Sequence, residues 1–191
     1  MTETIDSVLE FWFGRGKTAA EVYAEKKEFW FSKNDELDRE ITARFAPLVD
    51  AVAAGGRSEW EASPRGQLAL ILCTDQFPRN MHRGSPKAFA HDHIALGYAK
   101  QCDAAQLRPI ERMFAYLPFE HSEDLAEQSR SVALFKKLTD ETQPPDRAVF
   151  AEILDFAQRH YDIIERFGRF PHRNAALGRE TSAEAVSYTH L

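Results

Sequence analysis

The chain has 191 residues, a formal net charge of -6 and 43% hydrophobic residues, with fourteen Phe and three Trp among them. That length and aromatic content suit one domain with a substantial core and exclude disorder as the main state. The acidic balance argues against a surface built to coat DNA, although a local basic patch can sit inside an acidic protein.

Cys73 and Cys102 stand far apart, outside any Cys-x-x-Cys pattern, so neither a disulfide framework nor a zinc site is expected and a reducing cytoplasm fits. The first residues carry acid where a signal peptide needs base, and no apolar run approaches the ~18 residues of a membrane span. The expectation is a soluble cytoplasmic protein without metal or cofactor, its oligomeric state open.

In chain order, Ile5, Val8, Leu9, Trp12 and Phe13 recur at helical spacing behind a Thr4 cap and stop at Gly14. Thr18 with Glu21 forms a capping box that opens a second helix carrying Val22, Phe29 and Trp30. A third begins near Asn34 or Asp35 and buries Leu37, Ile41, Phe45, Leu48, Val49 and Val52, with Pro47 expected to kink or split it. Ser63-Pro64 is a cap followed by proline at the first helical position, and the most apolar run of the chain, residues 68–73, follows. Pro78 should end that helix at Phe77.

Ser85-Pro86 starts a helix through Phe89, Leu96 and Ala99; Pro109 starts another, with Ile110, Met113, Phe114 and Leu117 inward until Pro118. Ser122 with Glu123 and Asp124 suits the positive end of a helix dipole, ahead of Leu125, Val132, Phe135 and Leu138. Pro144-Pro145-Asp146 marks a turn and a new cap. The cleanest periodic set, Phe150, Ile153, Leu154, Ala157, Tyr161, Ile164 and Phe167, closes at Gly168. A short capped segment starts at Thr181.

No stretch alternates as a strand does. The expected fold is all-α without a β-sheet, a single antiparallel helical array over residues 1–185, bundle or α-solenoid-like, with an irregular tail at 186–191 that looks foreign to a native end.

Two segments echo each other: Gln76-Phe77-Pro78-Arg79-Asn80 and Arg169-Phe170-Pro171-His172-Arg173-Asn174. Each follows an apolar helix and carries Arg without acid. Forked guanidinium donors with Asn80, His172 and Asn174 would suit a carboxylate or phosphate if the segments meet. The plainer account is that such side chains bond the orphan carbonyls at helix C-termini. Asp75 breaks a local rule, an acid in the last turn of a core helix, so a pairing with Arg79 or Arg173, or a function, is expected there.

Glu120 and His121 precede the Ser122 cap in a loop, where a His beside acids can act as a general base or as one metal ligand, or be a packed residue. His91 and His93, two apart on a helix, point to different faces and make a poor metal pair. No nucleophile elbow, phosphate loop or His-Glu-x-x-His is present. Cys73, inside residues 68–73, reads as a packing residue.

Val8-Leu9-Glu10-Phe11-Trp12-Phe13-Gly14, Asp75-Gln76-Phe77-Pro78-Arg79-Asn80-Met81, residues 116–124 and residues 166–174 together resemble a largely bacterial family, the domain of unknown function numbered 924. The likeness implies an all-helical fold related to the tetratricopeptide-like superfamily and no established activity.

The leading expectation is one polar pocket for a small anionic molecule, built from Asp75, Gln76, Arg79, Asn80, Glu120, His121, Arg169, His172, Arg173 and Asn174. If chemistry occurs there, His121 or His172 moves the proton, Arg79 and Arg173 stabilise charge, and Asp75 or Glu120 orients the base. The alternatives are a tetratricopeptide-like module for a protein partner and RNA binding through the basic islands, in each case without DNA or membrane contact.

Overall fold

The computed structural model describes residues 3–186; the regular structure among them is all helical, with no strand. Helix α1 spans Ile5–Phe13, α2 Ala19–Phe31 and α3 Asp35–Ala53. Thr4 and Thr18 close capping boxes, and Asn34 accepts from the Glu36 and Leu37 amides. Pro47 lies inside α3, which runs unbroken rather than splitting.

After a 3-10 turn at Ser58–Ala62 come α4 Pro64–Ile71, a π-helical turn Leu72–Gln76 and α5 Phe77–Met81. The three follow one another directly, so the helix does not end at Phe77. The Phe77 amide reaches back five residues to Leu72 O, and Pro78 next in line has no N–H to place. The wide turn thus falls just where an α-helical register would have lost a bond. Ser63 caps the start, and Gly66 is required there, because a Cβ would collide with the Trp60 carbonyl.

The Ser85-Pro86 start gives only a 3-10 turn, Pro86–Phe89; a fresh helix, α6 Asp92–Gln101, follows with His91 at its cap position. After another 3-10 turn at Ala104–Gln106, α7 spans Pro109–Glu120 and carries Pro118 within it, so this proline also fails to stop its helix. Glu120 is therefore the last residue of α7 and His121 its C-cap, not part of a loop at a helix start. Helix α8 is Leu125–Glu141, capped by Asp124 instead of Ser122. Helix α9 is Arg147–Phe167, closed by left-handed Gly168.

Asp146 caps a different helix from the expected one. It stands at the α9 cap position, but its carboxylate takes the Ala19 and Ala20 amides of α2, at 3.1 and 2.8 Å. A 3-10 turn at Pro171–Arg173 and α10 Ala183–Val186 complete the described chain, with the Ala185 amide on Ser182 rather than Thr181. Val186, placed in the tail by the sequence reading, ends α10; residues 187–191 lie outside the described residues.

The α4–π–α5 helix is central, packed against α1, α3, α6 and α7, while α8 and α9 form a hairpin that closes over α7. The core is aromatic. Phe77 is fully buried, stacked on Phe45 at 4.6 Å and meeting Trp12 edge-on at 5.6 Å. Phe114 meets Phe13 and Trp30 at 5.3 and 4.7 Å. Such pairs add roughly 0.5–1.5 kcal/mol each beyond their buried area. Trp30 satisfies its indole N–H on the Trp12 carbonyl at 3.1 Å, tying α2 to α1. Cys73 is fully buried here, and burial pushes its thiol far up, which suits packing and not nucleophilic attack.

Candidate functional site

The π turn places Asp75 where the central helix meets the C-terminal end of α7. Its side chain is completely buried, with three partners. His121 Nδ1 lies 2.7 Å from Oδ1, Arg79 Nη1 lies 3.2 Å from the same oxygen, and Gln76 Nε2 donates to Oδ2. Burial alone would raise the Asp75 carboxyl; Arg79 and His121 overcome it and hold the group well below the ordinary range. It is a carboxylate at any pH of interest. An ionised carboxylate only accepts, so the His121 proton sits on Nδ1, leaving Nε2 with a lone pair. Burial, then the Arg79 charge, lowers the His121 pKa and keeps the ring neutral near pH 7.

Glu120, adjacent in sequence, has the opposite fate. Burial, helped by the Asp75 charge, pushes its carboxyl up to about 8, so the acid is protonated at neutral pH. Its Oε2 is buried with no hydrogen-bond partner among the described residues. His160 of α9 stands 3.2 Å from Oε1 and donates Nδ1–H to the Phe156 carbonyl at 2.9 Å. Burial lowers His160 to about 4. Within a few ångströms, therefore, lie an anionic carboxylate on a neutral imidazole and a neutral carboxylic acid, two carboxyl groups that their surroundings drive apart.

These groups border a cavity of about 470 Å³. Gln76, Arg79, Glu120, His121 and His160 give it polar walls. Trp30, Met113, Leu117 and Ile153 make the opposite side apolar. Phe31 and Phe156, 53% and 40% exposed, also line it and are its solvent-facing rings. This mixture of apolar lining and few convergent polar groups is what small-molecule sites use.

The two Phe-Pro segments meet through Asp92 of α6. Arg79 grips Asp92 with both Nη atoms, at 2.9 and 3.0 Å, and Arg173 Nη1 reaches the same carboxylate at 3.2 Å. Glu123 fixes the second segment, taking Arg179 with both oxygens and the Phe170 amide at 2.7 Å.

Of the residues singled out in the sequence, Asp75, Gln76, Arg79, Glu120 and His121 stand together, and Arg173 joins them by way of Asp92. Asn80 lines the cavity but donates to Asp38 at 2.8 Å. Two lie elsewhere: Arg169 is exposed, and Asn174 is buried in a local turn, donating to Glu180 O and accepting from Arg179. His172 stands at the edge of the group, its ring 5.4 Å from Phe170, and burial with the Arg173 charge lowers it to about 4. Within the two basic islands, Arg79, Arg83, Arg173 and Arg179 are ion-paired.

Asp92, Phe89 and His160 were not singled out. His160 was within reach, lying on the Ile153–Ala157–Ile164 face of α9 at helical spacing; Asp92 gave no signal, because its partners are 13 and 81 residues away. Among the described residues no group of three or more His, Cys, Asp or Glu could hold a metal ion, and no helix is long and apolar enough to cross a membrane.

Fold and site define an all-helical domain with a buried Asp–His pair beside a neutral acid at an amphipathic cavity. The family described as "Bacterial protein of unknown function (DUF924)" matches over residues 8–190, and the chain belongs to that family. A solved structure, a protein of unknown function, ATU0120, from Agrobacterium tumefaciens, is similar to it with 33% identity, over 97% of this chain and 96% of that one, at a TM-score of 0.81. No curated protein matches.

Proposed function

We propose that the protein binds a small organic molecule in the cavity between α2, α7 and α9 and acts on it by proton transfer. The observation that carries this is the 2.7 Å contact of Asp75 with His121 Nδ1, beside a protonated Glu120. Asp75 fixes the tautomer and offsets charge as His121 Nε2 takes a proton; Glu120 supplies one to the developing anion; exchange with water resets both. The competent form has neutral His121 and neutral Glu120. That form exists from the lowered His121 pKa up to about pH 8, so a bell-shaped profile falling on the alkaline side near 8 is expected.

The lysine and arginines of this cavity are each paired, Lys27 to Glu152, Arg79 to Asp92 and Arg83 to Asp38. The reacting part of the ligand is accordingly neutral or weakly acidic. Docking of a protein partner, the tetratricopeptide-like reading, has the exposed Phe31 and Phe156 rings in its favour.

A thermal-shift screen of small molecules separates these. A ligand at ~100 times its Kd adds about 2.7 kcal/mol, hence roughly 5 to 10 °C for a domain of this size. The proposal expects such a shift with the parent, a smaller one with Phe31→Ala/Phe156→Ala, and conversion of the bound compound that His121→Asn slows ~100-fold or more. Shifts that ignore the double variant, or a bound compound that the parent never changes, would contradict it.

A further inference from the structure

Arg173 is only 6% exposed, yet its guanidinium is mostly unused. Of its five N–H donors, Nη1 alone finds an acceptor among the described residues, Asp92 Oδ2 at 3.2 Å. Its Nε is buried without a partner. That single acceptor is already gripped by both Nη atoms of Arg79, so two guanidiniums share one carboxylate. Glu123 faces the same region, but Arg179 and the Phe170 amide hold both its oxygens. Burial and the Arg79 charge lower Arg173 to about 10 in spite of these acids, as expected for a cation short of counter-charge.

The rings of Phe89 and Phe170 lie 4.7 and 4.5 Å from the Arg173 guanidinium and fix its plane. Arg173 lines a second cavity of about 360 Å³ with Phe89, Asp92, Ser122 and Leu177. His121 lines this cavity and the larger one alike. One imidazole thus stands between an apolar chamber and an under-neutralised guanidinium.

We propose that the cavity at Arg173 is an oxyanion subsite, which takes the carboxylate or phosphate of the same molecule whose reacting part lies in the larger cavity. This rests on the reading of the larger cavity as a ligand site. Arg173 keeps Nη2 without an acceptor among the described residues, and its flanking rings pre-organise the planar guanidinium for an oxyanion. The substrate class is then a small organic acid or phosphate ester with an apolar portion, bound across His121.

The test follows the Nε–H resonance of Arg173 in isotope-labelled protein during titration with inorganic phosphate and, separately, with acetate, at constant ionic strength. A saturable shift is expected, stronger with the ion whose chemistry the subsite serves. Arg173→Lys, which keeps the charge but not the fork, should weaken that ion about tenfold. A resonance unmoved by both ions, or equal binding by the lysine variant, would overturn the subsite. Arg173→Met risks unfolding, so the resonance in the parent protein is the primary readout. His121→Asn should still bind phosphate. If proton transfer fails its own test while Arg173 titrates, the subsite stands; if ligands occupy the larger cavity while Arg173 stays silent, the subsite alone falls.

Discussion

Asp75→Ala is expected to lower stability by about 3–5 kcal/mol, because it removes one member of a buried ionic group and leaves the others uncompensated. The carboxylate is completely buried and receives Arg79, His121 and Gln76. In its absence Arg79 keeps Asp92, but Arg79 and Arg173 then face each other across that one acid. For a domain of this length the loss corresponds to roughly 6 to 20 °C in Tm. Asp75→Asn, which preserves the shape, should recover part of this and still abolish proton transfer, since an amide does not hold the Nδ1–H tautomer as a carboxylate does. The sign with pH follows from the lowered pKa. Asp75 contributes stability above the ordinary carboxylate range, and the contribution fades as pH falls below about 4 in acid melts. Equal melting curves for parent and Asp75→Ala at pH 7 would show that the buried contacts carry no stability.

Glu120→Gln is expected to gain stability on the parent progressively as pH rises from about 4.5 to about 8, the two differing least below that window. The folded acid titrates at about 8 against an ordinary 4.5. Between these values the folded chain holds a proton that the unfolded chain has lost, so parent stability falls as pH rises. His160 works the other way: its folded value of about 4 against 6.5 makes stability fall as pH drops through that window. Every lowered histidine, His172 at about 4 among them, adds its slope only below 6.5 and does so in parent and variant alike, which makes 6.5 to 8 the window where Glu120 is read without them. There the parent should lose about 2 kcal/mol that Glu120→Gln keeps, or roughly 4 to 8 °C in Tm. Parallel curves for the two proteins across that range would mean that Glu120 is ionised in the fold.

The sequence carried the starts of the first four helices. Thr4, Thr18, Asn34 and Ser63 each cap the helix they precede, since a cap is settled within four residues and needs no tertiary partner. The stops were less legible. Pro78 and Pro118 lie inside helices, one admitted by the π turn before it, and neither circumstance can be read from neighbouring residues. Asp146 shows the same limit in reverse, a residue at one helix cap spending its carboxylate on another 126 residues away.

The candidate site divides along the same line. Asp75 stood out because an acid in an apolar helix must find partners, and Arg79, one turn on, was the local choice. His121 and Glu120 stood out as polar residues at a helix junction, though with the wrong helix end assigned to them. Asp92 and the apolar wall from α2 and α9 depend on how distant helices pack, and no short-range pattern encodes that.

The most direct test of an acid–base site is an NMR titration of two side chains in the unligated protein, the His121 ring nitrogens and the Glu120 carboxyl carbon. Near pH 7 the account predicts a neutral His121 protonated on Nδ1, with Nε2 carrying the lone pair, and a Glu120 carboxyl that stays protonated until about pH 8. A doubly protonated His121 at pH 7 together with a Glu120 carboxyl that ionises near 4.5 would contradict it.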